Sequence, residues 1–209
     1  MGWPSREKNR LLWYAGAMRP SGVSISKIGP ESAVMLRDLF EHYLHDMSEW
    51  FEFDTKADGS YSYDVAQVWR DGYDAYLARI GDSIAGFALI GSGAEWLDGI
   101  DSHDVHEFFV IRRYRRSGAG RAMACLLWDE RPGEWLVRVF EGNVPAVPFW
   151  RAAVASYSGG VYSEETRVIT GKAWRFFRFL SKAHVDDVVL VSGSGDDDVE
   201  VAGGGVMEP

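Results

Sequence analysis

Residues 108–128 read FFVIRRYRRSGAGRAMACLLW. Phe108-Phe109-Val110 closes a strand pattern that begins at His103 and runs to Ile111. From Arg121 to Trp128 nearly every side chain is apolar, the pattern of a helix buried on most of its faces. An arginine- and glycine-rich turn joins the two. A strand that feeds a glycine turn and then a helix aligns several backbone N–H donors at the positive end of that helix, which suits phosphate or pyrophosphate. Gly118 and Gly120 permit the tight turn and keep side chains away from an anion. The five arginines within residues 112–121 are available to pair further phosphate oxygens.

Outward from this turn the chain divides into short elements. Val23 to Ile28 alternates as a strand and ends at Gly29-Pro30. Leu36, Leu39, Phe40, Tyr43, Leu44 and Met47 recur at helical spacing, predicting an amphipathic helix from Glu31 to Met47. The segment to Gly72 is irregular, with a short helix near Tyr63 to Trp69. Asp74 to Arg79 and Ser83 to Ile90 read as a hairpin about Gly81-Asp82. After the central turn and helix come a strand from Trp135 to Phe140 and a helix from Pro145 to Val154, whose prolines fall in the first turn where a missing N–H is harmless. Glu165 to Ile169 and Ala173 to Leu180 form a closing hairpin. The order of strands and helices predicts an α/β fold with one mixed sheet.

The 209 residues are 46% hydrophobic and 25% charged, enough for one domain with a sizeable core. Aromatic content of 14% excludes wholesale disorder. A single cysteine, Cys125, excludes an intramolecular disulfide and a multi-cysteine zinc site, and reads as a core residue of its helix. The net charge of −9 disfavours nucleic acid and anionic membrane as partners, but it is unevenly spread. No Lys or Arg follows Lys182, whereas Asp186, Asp187, Asp196, Asp197, Asp198, Glu200 and Glu208 do. Residues 186–209 therefore read as an acidic, solvated tail. Residues 1–19 read as a basic N-terminal extension, with Met18 a candidate start and an apolar run too short to span a bilayer. Residues 20–185 are the expected domain, the cytoplasm the expected compartment, and oligomerisation is left open. Within the domain, residues 38–74 hold ten acids and nine aromatics against Lys56 and Arg70.

Several familiar templates fail. A dinucleotide fingerprint starting at Gly118 would need a third glycine where Met123 stands, and a zinc-protease motif starting at His106-Glu107 would need His where Val110 stands. No phosphate-binding loop ending in Gly-Lys-Ser/Thr and no serine nucleophile elbow occurs. Nucleic-acid binding by Arg112, Arg113, Arg115, Arg116 and Arg121 lacks interleaved stacking residues and faces an acidic remainder.

Arg115-Arg116-Ser117-Gly118-Ala119-Gly120 resembles the acetyl-CoA motif of the GNAT N-acetyltransferase superfamily: Gln or Arg, two variable residues, Gly, one variable residue, then Gly or Ala. Phe108 to Val110 and Arg112 to Arg116, including Tyr114, resemble the family's strand and turn. Asn143, Ala146, Phe149 and Trp150 resemble its following helix, so the likeness covers roughly Val23 to Leu180. The resemblance implies a single GNAT-like domain, a mixed sheet flanked by helices. It also implies an acetyl-CoA-dependent N-acetyltransferase acting on a primary amine, small molecule or peptide, in a direct ternary complex. The alternative is a CoA-binding module without catalysis. By the same resemblance, acetyl-CoA would run along Val110 and Ile111 as an added strand, with an N–H near Val110 polarising the thioester oxygen. The N–H groups of Arg115, Arg116, Ser117, Gly118, Ala119 and Gly120 would hold the pyrophosphate, with Arg121 opening the helix and Asn143 contacting the cofactor. No metal site is expected.

A lysine-like amine is mostly protonated at neutral pH, so its acetylation benefits from a base. Glu107, His106 and Asp104 are the candidates. Strict alternation puts Asp104 and His106 on one face of the strand and Glu107 on the other, unless a bulge changes the parity. For the departing thiolate, the family often has Tyr where this chain has Trp150, and an indole is not a practical proton donor. That leaves Tyr157 or solvent. The acidic aromatic stretch lies where the family builds its acceptor site, and carboxylates with aromatic rings would suit a cationic amine.

Overall fold

The computed structural model describes residues 22–61 and 63–181. The predicted extension, residues 1–19, and tail, residues 186–209, lie outside the described residues. The elements are β1 (Val23–Ile28), a 3-10 turn (Pro30–Ser32), α1 (Ala33–Met47), α2 (Ala66–Arg70), β2 (Asp74–Ile80), β3 (Ser83–Ser92), β4 (His103–Val110), α3 (Ala119–Glu130), β5 (Gly133–Phe140), α4 (Ala146–Tyr157), β6 (Ser163–Ile169) and β7 (Lys172–Ser181). This is the order read from the sequence. The largest boundary changes are a later end for α4 and a later start for α2.

One seven-stranded sheet runs β1-β2-β3-β4-β5-β7-β6. Every neighbouring pair is antiparallel except β4 with β5, which is parallel. The sheet thus consists of two antiparallel halves joined by one parallel seam, with α3 as the crossover between the seam strands.

Alternation along the strands fills both faces. In β2, Ala75 and Leu77 join one cluster with Leu36, Leu39, Phe40 and Leu44 of α1, while Tyr76 and Ala78 join the other. The second cluster holds Met123, Leu127 and Trp128 of α3 and Trp150, Ala153 and Val154 of α4. Trp128 and Trp135 are completely buried there. Large apolar side chains of this kind each contribute on the order of 1.5–3 kcal/mol on burial. Among the described residues, no helix is long and apolar enough to cross a membrane.

Candidate active site

The parallel seam is short. Its registered pairs run only from His103↔Trp135 to Val105↔Val137, after which β4 and β5 part. A cavity of about 390 Å³ opens at this fork. Phe108, Val139, Ala146 and Trp150 line it from the α3/α4 side of the sheet. Phe40, Tyr43, Leu44 and Tyr63 line it from the α1 side. The fork is therefore a passage between the faces, and His106, Glu107 and Arg138 stand in its wall.

A bulge decides how β4 presents its polar groups. Leu89 of β3 pairs with Glu107 but Ile90 pairs with Val105, so His106 is the extra residue. The parity expected from strict alternation fails at this point. Val105 and Phe108 pack into the α3/α4 cluster. His106 stacks on Tyr73 with ring centroids 4.3 Å apart, and Glu107 accepts a hydrogen bond from the Tyr43 hydroxyl. Tyr43 and Tyr73 both pack against the α1 cluster. The bulge thus brings His106 and Glu107 to the same face, together with Asp104.

The three base candidates then separate by their surroundings. Asp104 is only 2% exposed and is held at two points by Arg138, Nε to Oδ1 at 3.0 Å and Nη2 to Oδ2 at 2.5 Å. That carboxylate is consumed in a buried ion pair. His106 Nδ1 lies 3.4 Å from Arg138 Nη2. Among the described residues Glu107 makes no ion pair of its own, although His106 and Arg138 stand near it. Burial raises its pKa above the usual carboxylate range, and the opposing Tyr43 hydrogen bond does not cancel that effect. A carboxylate so raised is a better proton acceptor at neutral pH.

Tyr43 was legible in the sequence as a face position of α1 and as one of the nine aromatics of residues 38–74, but not as the partner of Glu107. Its hydroxyl was the available signal, because a phenol on a buried helix face needs a partner. Burial, followed by the nearby Glu107 charge, raises the Tyr43 pKa well above its ordinary value, so it remains a donor. Edge-on contacts with Phe40, Phe87 and Phe109 hold the ring in place.

At the other end of β4, the Ile111 N–H donates to the Ala85 carbonyl at 2.8 Å, which commits Ile111 to β3. The adjacent pair Gly86↔Val110 is then of the wide type, and alternation turns the Val110 main chain toward the fork. Gly118 adopts φ +93°, a left-handed conformation that favours glycine, and caps α3. A Cβ on Gly120 would lie 3.3 Å from Val110 Cγ2 and 3.4 Å from the Phe149 ring, so glycine lets α3 approach both β4 and α4. The first α-helical bond runs from the Ala122 N–H to the Gly118 carbonyl at 3.0 Å, leaving the preceding N–H groups at the helix entrance without helical acceptors. Ala119 makes only a long contact of 3.4 Å to Ser117 Oγ.

The arginines of the turn do not all face an anion. Arg112 and Arg115 both pair with Asp46 near the end of α1, and Arg115 Nε also donates to the Val110 carbonyl at 2.7 Å. Burial alone would raise the Asp46 pKa, but the hydrogen bonds from Arg112 and Arg115 outweigh it and hold the carboxyl below its usual range. Arg121 donates to Ser156 Oγ on α4. Arg113 and Arg116 are exposed, Arg113 lying over the Tyr114 ring.

Asn143 and Trp150 line the cavity, whereas Tyr157 is not among its lining residues. The Tyr157 hydroxyl donates to Asp129 at 2.9 Å and its ring packs on Trp128, two helical turns beyond Trp150. Cys125 is partly buried against the α3/α4 cluster. A broader groove of about 580 Å³ beside Glu31, Asp38 and His42 lies away from all these groups.

Solved structures share this architecture. A spermidine N-acetyltransferase from Vibrio cholerae, in complex with CoA and spermine, matches with a TM-score of 0.54 and 11% identity over 77% of this chain and 96% of its own. An Escherichia coli enzyme that acetylates an alanine of a ribosomal protein gives 0.51 and 15% over 79% and 98%. A protein of Desulfovibrio desulfuricans assigned to the GNAT family gives 0.53 and 16% over 77% and 99%. No protein-family model matches the sequence, and no curated protein matches it. At these identities the likeness establishes the fold: the chain has the mixed sheet and flanking helices of the GNAT N-acetyltransferases.

Proposed function

We propose that this chain is an acetyl-CoA-dependent N-acetyltransferase that acetylates a primary amine in a ternary complex. The observation that carries the reading is the forked seam. Past the last paired residue of the seam, Glu107 stands in the wall of the cavity, and β4 runs on through Val110 to the glycine-built entrance of α3. The neighbours support it, since one is a spermidine N-acetyltransferase in complex with CoA and spermine and another a ribosomal-protein alanine N-acetyltransferase.

The residues present fit the co-substrate. Val110 offers a strand edge, the N–H groups of residues 116–121 offer donors for a pyrophosphate, and Asn143 lies beside the passage. Both arginines of the motif are exposed, but Arg115 is held by Asp46 and acts by fastening the turn. Acetyl-CoA supplies an activated acetyl group and a thiolate leaving group. Glu107 takes a proton from the acceptor ammonium, directly or through one water, and Tyr43 holds the carboxylate in position. The amine nitrogen bonds to the acetyl carbon, the carbon–sulfur bond breaks, the nitrogen gives its second proton to solvent, and solvent protonates the thiolate. Tyr157 has no part in this scheme, given its place beside Asp129. Holding both reactants in one passage accounts for much of the rate, since proximity alone is worth roughly 7–11 kcal/mol.

The test has two arms on the purified full chain. Acetyl-CoA is expected to raise the melting temperature, and acetyl-CoA with an amine panel is expected to release free thiol. A melting shift without turnover of any amine would instead favour the non-catalytic CoA-binding module.

A further inference from the structure

We propose that the preferred acceptor is a primary monoamine with an apolar, preferably aromatic, body, and that Lys172 selects against acceptors carrying a second positive charge. The proposal rests on the acetyltransferase reading above and names its substrate class.

The α1 side of the cavity is walled by rings. Phe51, Phe53, Phe140 and Trp174 line it, and Phe51 lies 5.1 Å from Phe140 and 6.2 Å from Trp174 between ring centroids. Among the lining residues Glu107 is the only acid. One carboxylate can neutralise one ammonium, and the remaining wall gains most by covering apolar surface.

The ten acids of residues 38–74 supply no second carboxylate. Asp46 is held by Arg112 and Arg115, and Asp74 by Lys27 and Arg131. Asp64 pairs with Arg70, Asp38 with Arg37, and Asp71 accepts from Gln67. Glu41 and Asp58 accept backbone N–H groups of Tyr61 and Ser60 at 3.0 Å each. Glu49, Glu52 and Asp54 are exposed and do not line the cavity.

Against two rings of this wall a cation is already in place, although Lys172 is not itself among the lining residues. Lys172 Nζ lies 4.3 Å from the Phe51 ring centroid and 5.4 Å from that of Phe140, and contacts the Trp50 carbonyl at 3.4 Å. It takes the cation–π positions of two cavity rings. A polyamine would therefore meet like charge and would find no partner for its distal nitrogen.

The experiment compares initial rates at saturating acetyl-CoA with phenylethylamine, hexylamine and spermidine. We expect kcat/KM to fall in that order, with phenylethylamine at least tenfold above spermidine. Lys172→Gln should raise spermidine relative to phenylethylamine at least threefold. Phe51→Leu should lower phenylethylamine more than methylamine, a readout that a general loss of folding would not give. Spermidine turnover equal to or above that of phenylethylamine overturns the substrate class while leaving the transferase reading intact. An unchanged ratio in Lys172→Gln overturns the role of Lys172. Failure of every amine despite acetyl-CoA binding defeats the transferase reading, and the proposal with it.

Discussion

The arginine–glycine turn, residues 112–121, and the acidic aromatic segment, residues 38–74, look in sequence like two oppositely charged binding surfaces. In the fold they are joined to each other. Asp46 of the acidic segment holds Arg112 and Arg115 of the basic one. The turn is left to work through its backbone, by way of the left-handed Gly118 and the open N–H groups at the entrance to α3. The acidic segment is left to work through its rings, since its acids are capping, paired or turned to solvent. Charge in both regions mainly fastens structure, and on the proposed function the groups left for binding are the backbone of the turn and the rings of the acidic segment.

The largest effect that could break this comparison is at Gly118. Gly118→Asp places a β-carbon and a negative charge in a left-handed position at the cradle, and is expected to weaken acetyl-CoA binding at least 100-fold by calorimetry. Arg116→Ala should weaken it less than tenfold. Equal losses from the two would mean that side-chain charge, not backbone, holds the anion.

Glu107→Gln comes next, with kcat/KM expected to fall by about 10²–10⁴ while acetyl-CoA affinity stays within threefold. In the parent protein the acid limb of the pH–rate profile should lie above the ordinary carboxylate range, because burial raises the Glu107 pKa, and this limb should vanish in the variant. The stability sign is opposite to that of activity. A carboxyl whose folded pKa is raised contributes stability below its unfolded pKa and loses it as pH rises through the folded one. Glu107→Gln should therefore melt higher than the parent at neutral pH, by a few degrees, with the gap closing in acid.

Asp46→Asn tests the joint between the two regions. A partly exposed pair of this kind is worth about 1 kcal/mol, and loosening the turn should lower acetyl-CoA affinity roughly three- to tenfold by calorimetry. Because the Asp46 pKa is depressed, its contribution is present above the ordinary carboxylate range and is lost as pH falls through the folded value. Denaturation curves of parent and variant should converge at low pH. The smallest effect is expected at Asp64, whose partner Arg70 is exposed. Asp64→Asn should change stability by less than about 0.5 kcal/mol and amine kcat/KM by less than twofold. A large loss of amine affinity there would restore the acidic segment as a charge-based acceptor site.

The order of elements was legible because it depends on local pattern. The amphipathic spacing of Leu36 to Met47, the alternation in β2 and the Gly118 turn each state their structure within a few residues. Glu107 and His106 were found as candidates because they lie on the strand that enters the turn. Their relative orientation was not legible, since the β4 bulge is defined only against the register of β3. Tyr43 was missed for the same kind of reason, as it meets Glu107 across 64 positions of chain.

The sequence by itself determined the α/β class, the glycine-built helix entrance and the strand that carries the acid–base candidates, all consequences of short-range sterics and periodicity. Tertiary structure alone decided that β4 and β5 part after Val105, that His106 and Glu107 share a face, and that Arg115 serves Asp46. It also decided that Lys172 stands over Phe51. Those outcomes depend on which distant groups meet, and an ion pair, a strand register or a buried hydrogen bond acquires its partner only when the chain has closed on itself.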